Sequence, residues 1–164
     1  MIKKSNAGRI CLILTICLCL SLLSGCSDPV GRAVTHKDLT VILPADFLDL
    51  SGESYAEEAD FLYGWHTLVF KGLAESKKSL PAMTLQQYTD YVIAGNKLTC
   101  TPQVNGDGYL FTYEKPVGET TYTYTVATYA GQENFWILQF YCPKEKMAEN
   151  QPEIDVILEG IQPK

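Results

Sequence analysis

The sequence predicts an α+β domain: an antiparallel β-sheet meander with one helix inserted into it and a second helix at its C-terminal end. Three observations lead to this class. Residues 119–129 favour a strand at nearly every position. Residues 105–108 (Asn-Gly-Asp-Gly) are a hairpin signal between two apolar segments. Thr84 and Gln87 have the spacing of a helix capping box.

The first half of the domain contains three strand signals and then the helix. Residues 39–43 (Leu-Thr-Val-Ile-Leu) predict a strand that Pro44 ends. Residues 60–63 and 66–73 predict two strands joined by a turn at Gly64-Trp65. The helix has Thr84 as its N-cap and ends at Gly95-Asn96. Its expected features are a hydrophobic staple between Met83 and Tyr88 and an apolar face of Leu85, Tyr88, Tyr91 and Val92.

The second half predicts a run of strands followed by helix. Residues 98–104 and 109–114 flank the hairpin signal, and residues 134–142 form a mostly apolar strand. In the long strand, Tyr122, Tyr124, Val126 and Thr128 would share one face, with Thr121, Thr123, Thr125 and Ala127 on the other. We expect Pro152 to interrupt the final helix, after which Ile154, Ile157, Leu158 and Ile161 form an apolar face.

This order of elements resembles the PsbP-like fold. The resemblance lies in residues 43–47 (Leu-Pro-Ala-Asp-Phe) after the opening strand, in the closing strand at 135–140, in Pro143, and in the helix at 152–158. It implies an α/β/α sandwich. The fold is shared by the photosystem II extrinsic protein, a Ran-binding nuclear import factor and many bacterial lipoproteins. Because these proteins share architecture and not activity, the resemblance implies no catalytic residue.

The N-terminus has the pattern of an export signal. Lys3, Lys4 and Arg9 precede an apolar run at residues 10–23, which is shorter than the roughly 20 residues that a spanning helix needs. Residues 23–26 (Leu-Ser-Gly-Cys) resemble the lipobox of bacterial lipoproteins. That resemblance implies cleavage before Cys26 and a diacylglyceryl group on its sulfur. We therefore expect a protein that is lipid-anchored at the extracytoplasmic face of the cell membrane.

The expected organisation is a signal peptide at 1–25, a lipidated tether at 26–37, and a single domain at 38–164. Loss of the signal removes three of the thirteen basic residues and none of the nineteen acidic ones, which leaves a formal charge of −9. An acidic surface argues against binding to nucleic acid or to anionic lipid headgroups. Cys100 and Cys142 could pair in an exported protein. We expect instead two reduced and mostly buried thiols.

The sequence contains no recognisable catalytic or metal-binding motif. Its two histidines are His36, in the predicted tether, and His66, beside Trp65. The acidic stretch from Asp46 to Asp60 is best explained as a solvated loop. We therefore predict no catalytic residue, no metal site, no cofactor and no enzymatic activity.

Two functional hypotheses follow. The first is a non-catalytic binding or assembly module that acts on another envelope protein, with the membrane as its second partner through the lipid anchor. The alternative is a one-lobed lipoprotein that binds a small ligand or a metal ion and is associated with a transporter. The sequence assigns no oligomeric state. For a binding surface, the first candidates are Tyr63, Trp65 and His66, because a hairpin tip exposes aromatic side chains.

The lipid anchor gives the first testable prediction. Wild-type protein should begin at Cys26, carry a diacylglyceryl group and partition into the detergent phase, because two acyl chains give stable attachment. Cys26→Ala should abolish the modification and the partitioning, as judged by mass spectrometry of the N-terminal peptide. A wild-type N-terminus at Met1, or a Cys26 without lipid, would contradict the prediction.

Overall fold

Two antiparallel sheets and two helices make up the part of the chain that the structure describes, residues 31–53 and 58–164 of a computed structural model. The strands are β1 (Arg32–His36), β2 (Leu39–Leu43), β3 (Leu48–Asp49), β4 (Phe61–Trp65), β5 (Leu68–Ser76), β6 (Gln103–Asn105), β7 (Gly108–Val117), β8 (Thr120–Ala130), β9 (Asn134–Pro143) and β10 (Ile161–Pro163). The helices are α1 (Leu85–Gly95) and α2 (Met147–Glu159). The predicted α+β class is confirmed.

The large sheet has seven strands in the order β3-β4-β5-β9-β8-β7-β6, and the small sheet has three in the order β1-β2-β10. Every neighbouring pair of strands is antiparallel. The small sheet and α2 cover one face of the large sheet. In that core, Val41 of β2, Phe70 and Phe140 of the large sheet, and Ile154 and Ile157 of α2 are buried in one cluster.

Helix α1 packs on the opposite face of the large sheet. Its N-terminus has the predicted capping box: Thr84 Oγ1 accepts from the Gln87 amide at 3.3 Å, and Gln87 Oε1 accepts from the Thr84 amide at 2.8 Å. Tyr88, Val92 and Ile93 pack on the sheet, with Met83 against the same cluster. The predicted face was wrong at Tyr91, which is 56% exposed, because the buried stripe turns toward Thr89 and Ile93 instead.

Long-range pairing adds strands where the sequence predicted none. Arg32–His36, inside the predicted tether at 26–37, forms β1 along β2, and residues 161–163 form β10 on the other side of β2. The opening strand therefore belongs to a separate small sheet and not to the main meander. Conversely, residues 98–102 are not a strand, and only Gln103–Asn105 pairs with β7.

Two turn and helix boundaries also differ from the prediction. The β4–β5 turn is at His66-Thr67, where His66 has a positive φ of 49°. Gly64 lies within β4 and not in the turn. Its lack of a side chain makes room for Leu50, because a Cβ at residue 64 would lie 2.6 Å from Leu50 Cδ1. Pro152 lies inside α2 and does not interrupt it. The helix continues because Ile154 and Ile157 beyond the proline are fully buried.

The carboxylate of Asp38 joins the small sheet to the large one through the densest set of hydrogen bonds at their junction; Asp60, which pairs with Lys37 of the same turn and accepts from the Ala74 amide of β5, adds a second link. Asp38, in the two-residue turn between β1 and β2, accepts four hydrogen bonds from the segment that begins β9. Its donors are the amides of Glu133 (2.8 Å) and Asn134 (3.0 Å), the Asn134 side chain (2.9 Å) and Trp136 Nε1 (2.9 Å). The Trp136 side chain is fully buried, so Asp38 is the acceptor that allows its indole N–H to leave water.

The geometry around Asp38 explains two neighbouring residues. Residue 131 must be glycine, because a Cβ there would lie 2.4 Å from Asp38 Oδ2. The backbone carbonyl of Asp38 accepts from the amide of Lys164 at 2.8 Å, which fixes the end of the chain after β10. Partial burial raises the pKa of Asp38, but the hydrogen bonds from Asn134, Glu133 and Trp136 outweigh it and bring the pKa to about 2.

Replacing Asp38 should destabilise the fold in a pH-dependent way. Asp38→Ala leaves the buried Trp136 N–H without an acceptor, so the free energy of unfolding should fall by about 1–3 kcal/mol. Because folding depresses this carboxyl pKa, the wild-type advantage is complete above the ordinary value of 3.8 and is lost as the pH falls toward about 2. Urea unfolding at several pH values measures both effects.

The matched control for this prediction is Asp90→Ala, an exposed aspartate on α1. It should change the free energy of unfolding by less than about 0.5 kcal/mol at any pH. Equal losses in the two variants, or an Asp38→Ala loss that does not change between neutral pH and pH 2, would contradict the assigned role of Asp38.

Candidate functional site

The three predicted binding residues lie together at the end of β4, but in different environments. Tyr63 is buried, with 4% of its surface exposed, so its side chain belongs to the core. Trp65 is half-buried, with its ring stacked on Phe47 at 6.1 Å between centroids and its Nε1 donating to Asp46 Oδ2. His66 is exposed and lies edge-on to the Trp65 ring at 4.5 Å. This turn therefore presents Trp65 and His66 to solvent, and Tyr63 supports them from below.

His36, which the sequence placed in the tether, packs against the first half of β4. Its ring stacks on Phe61 at 4.5 Å, and its Nε2 lies 3.1 Å from the Tyr63 hydroxyl. Burial lowers the pKa of His36, against the opposing effect of Asp49 and Asp60. The alternation of β1, which places His36 on the inner side of the strand with Val34, is the signal that could have located it.

A row of three tyrosines crosses the large sheet on the α1 side. Tyr113 of β7, Tyr124 of β8 and Tyr141 of β9 are direct cross-strand neighbours. The rings of Tyr113 and Tyr124 are parallel to within 2° with centroids 4.8 Å apart, and Tyr124 and Tyr141 are 5.3 Å apart. We call these three residues the tyrosine row. Stacking therefore covers the ring faces within the row, and each side chain stays half-buried.

Helix α1 covers the tyrosine row only in part: Tyr113 and Tyr124 pack against the edge of the cluster beneath the helix, and all three tyrosines stay half-buried. The helix packs over Phe111, Val126 and Phe135, and the Thr89 and Thr128 hydroxyls meet beneath it at 2.6 Å. Beyond the helix, β5, β8 and β9 present half-buried side chains on the same face as the row. They are Val69, Lys71, Leu73, Tyr122, Ile137 and Gln139. We call these residues and the tyrosine row together the open face.

The open face is nearly uncharged. Lys71 is the one charged side chain among the half-buried residues just named, and the half-buried Glu75 follows it on the same side of β5, opposite Phe135. The hydroxyls of Tyr113 and Tyr124 stay protonated at neutral pH. Burial raises the pKa of Tyr113 to about 12 and also raises that of Tyr124. The face can therefore make apolar contacts and donate or accept neutral hydrogen bonds. The alternation of Tyr122 and Tyr124 predicted part of it, whereas Tyr113 and Tyr141 join the row only through strand register.

A separate groove of about 500 Å³ runs between the β6–β7 hairpin and the C-terminal end of α2. Tyr129 and Leu158 form part of its apolar wall, and Asp107, Asp155 and Glu159 line its polar side. Within residues 31–53 and 58–164, no group of three or more His, Cys, Asp or Glu side chains is arranged to hold a metal ion.

The two cysteines of the domain are unpaired, as expected. Cys142 is buried on the small-sheet side, with its sulfur 3.8 Å from the Met147 sulfur, and Cys100 packs in the cluster under α1. They lie on opposite faces of the large sheet. Cys26 and the export segment lie outside the described residues. No helix within those residues is long and apolar enough to cross a membrane.

Solved structures with a similar fold include the solution structure of cyanobacterial PsbP (CyanoP) from Synechocystis sp. PCC 6803. It matches with a TM-score of 0.53 at 7% identity, over 86% of this chain and 96% of that one. The fold is PsbP-like. No protein-family model matches the sequence, and no curated protein matches it significantly. The PsbP-like likeness is therefore one of architecture.

Two further structures are similar to the PsbP-like domain. A crystal structure from Bacteroides thetaiotaomicron VPI-5482 has a TM-score of 0.56 at 14% identity and covers 82% of this chain. This chain spans about half, 48%, of that Bacteroides chain. The Ran-binding protein Mog1p of Saccharomyces cerevisiae has a TM-score of 0.47 at 13% identity, over 80% of this chain and 94% of that one.

Proposed function

We propose that this protein is a membrane-anchored lipoprotein of the extracytoplasmic face whose PsbP-like domain is a non-catalytic module that binds another envelope protein. The observation that carries the proposal is the open face, with its stacked tyrosine row. Tyrosines are enriched in protein interfaces because they bring a large apolar area and a hydrogen-bonding group at a small cost in side-chain entropy.

The rigidity of the tyrosine row supports a binding role. Each ring is held by a cross-strand neighbour at 4.8 or 5.3 Å, and strand register places the three residues directly opposite one another. A preorganised surface loses little conformational entropy when a partner binds. The tyrosine row is therefore a set of rigid aromatic side chains, the kind of residue that contributes a large share of the binding energy at the centre of protein interfaces.

The charge of the domain favours a different protein over a second copy of this chain as the occupant. The exported chain has a formal charge of −9, so two copies repel each other at long range. The open face itself is nearly uncharged, which suits a partner surface of apolar groups and neutral hydrogen-bonding groups. A lipid anchor would keep the domain at a high effective concentration near other membrane-attached proteins.

Cross-linking in intact cells tests this function. Lys71 and Lys115 flank the tyrosine row on its own side of the sheet, so an amine-reactive reagent should join them to one recurrent envelope protein. Lys164, at the end of the chain beside Asp38, should not form that cross-link. Tyr124→Ser removes the central ring and should abolish the cross-link. Tyr91→Ser, on the exposed side of α1, should preserve it.

Two results would contradict the proposed binding function. A cross-link that survives Tyr124→Ser in a folded variant would place the interface elsewhere. Native mass spectrometry that finds a stoichiometric small ligand or metal ion, together with no recurrent protein partner, would favour the alternative of a ligand-binding lipoprotein. Thermal unfolding of both tyrosine variants checks that a lost cross-link does not reflect a lost fold.

A further inference from the structure

We propose that the domain docks on the lipid bilayer through the end where β1 begins, with Leu48, Trp65 and His66 as the contacting side chains. This inference rests on the lipid anchor of the proposed function and adds an orientation to it. The surface that this end contacts is that of the same bilayer in which the lipid anchor is inserted.

The tether is too short to let the domain turn freely. Four residues, 27–30, separate Cys26 from Gly31, so five extended steps span roughly 17 Å at most. A unit of the size of Gly31–Lys164 has a radius of gyration of about 14 Å. The reach of the tether is thus close to the radius of the domain. Only surfaces near Gly31 can lie against the bilayer while Cys26 is lipidated.

The start of β1 lies beside the β4–β5 turn. Arg32 follows Gly31, and its Nη2 donates to the Phe47 carbonyl at 2.8 Å, while its guanidinium lies 5.7 Å from the Tyr63 ring centroid. Phe47 in turn stacks on Trp65. Leu48 directly follows Phe47 and pairs with Gly64, the residue before Trp65. Gly31, where the tether joins the fold, is therefore separated from Leu48 and Trp65 by about the length of the Arg32 side chain.

The exposed side chains at this end suit the polar–apolar boundary of a bilayer. Leu48 is 67% exposed on the edge strand β3. Trp65 presents part of its ring, and its N–H is already bonded to Asp46, so no unpaired donor has to leave water. Tryptophan concentrates at membrane interfaces because one part of it is apolar and another is polar.

The charges nearby select the kind of lipid surface. Asp46 and Asp49 lie beside Phe47 and Leu48, and Arg32 donates to the Phe47 carbonyl between them. With the excess of acid over base in the exported chain, an anionic surface would repel the domain. The contact should therefore be made with zwitterionic headgroups and should weaken as anionic lipid is added.

Fluorescence of the lipidated protein in vesicles tests the proposal. The full-length lipoprotein is reconstituted in phosphatidylcholine vesicles with or without acyl chains brominated near the headgroup. The chain has two tryptophans, and Trp136 is fully buried, so bromine should quench the emission of Trp65. The Trp65→Phe variant shows how much of the fluorescence and of its quenching comes from Trp65. Leu48→Glu should abolish the quenching, because it replaces an apolar contact with a third acid beside Asp46 and Asp49.

The matched control is Val104→Glu. Val104 is 74% exposed and lies on β6, the edge strand at the other side of the large sheet from β3. It should leave the quenching unchanged. Cosedimentation with the vesicles separates the two proposals. Protein that cosediments without quenching of Trp65 overturns the docking and keeps the anchor. Protein that does not cosediment overturns both. Equal quenching in the two glutamate variants also overturns the docking.

Discussion

The architecture depends on the carboxylate of Asp38. Its four hydrogen bonds reach across 95 to 98 residues of sequence and join the β1–β2 turn to the start of β9, the central strand between β5 and β8. Without this acceptor, the indole N–H of Trp136 would be buried and unpaired. The small sheet would then keep only more peripheral polar links to the large one, such as Lys37–Asp60 and His36–Tyr63. The apolar core between the sheets is extensive, but apolar contact alone is not directional.

The parts of the fold predicted from sequence are those with local causes. Thr84 and Gln87 cap α1 within one turn, and the Asn-Gly-Asp-Gly segment closes its hairpin without distant help. The errors arise where distant residues decide. Gly64 was interpreted as a turn, yet it makes room for Leu50. Residues 32–36 lack a strong strand signal and become β1 because β2 offers an edge.

The binding surfaces were predictable to a similar degree. Alternation along β8 placed Tyr122 and Tyr124 on one face, but only cross-strand register brings Tyr113 and Tyr141 beside Tyr124. The same register row continues through Val69 of β5 to Gly64 and Leu48. The tyrosine row and the proposed membrane contact therefore share one end of the large sheet. A partner held at that end would be attached to the membrane or embedded in it.

Hydrogen exchange by NMR is the most direct test of the role of Asp38. If this carboxylate couples the two sheets, the amides of Glu133 and Asn134 should exchange only through global unfolding. Their protection should then equal that of the Leu138 amide in the centre of β9. The account would be contradicted if both amides exchanged orders of magnitude faster than Leu138 in the folded protein at neutral pH, because the junction would then open while the core stays intact.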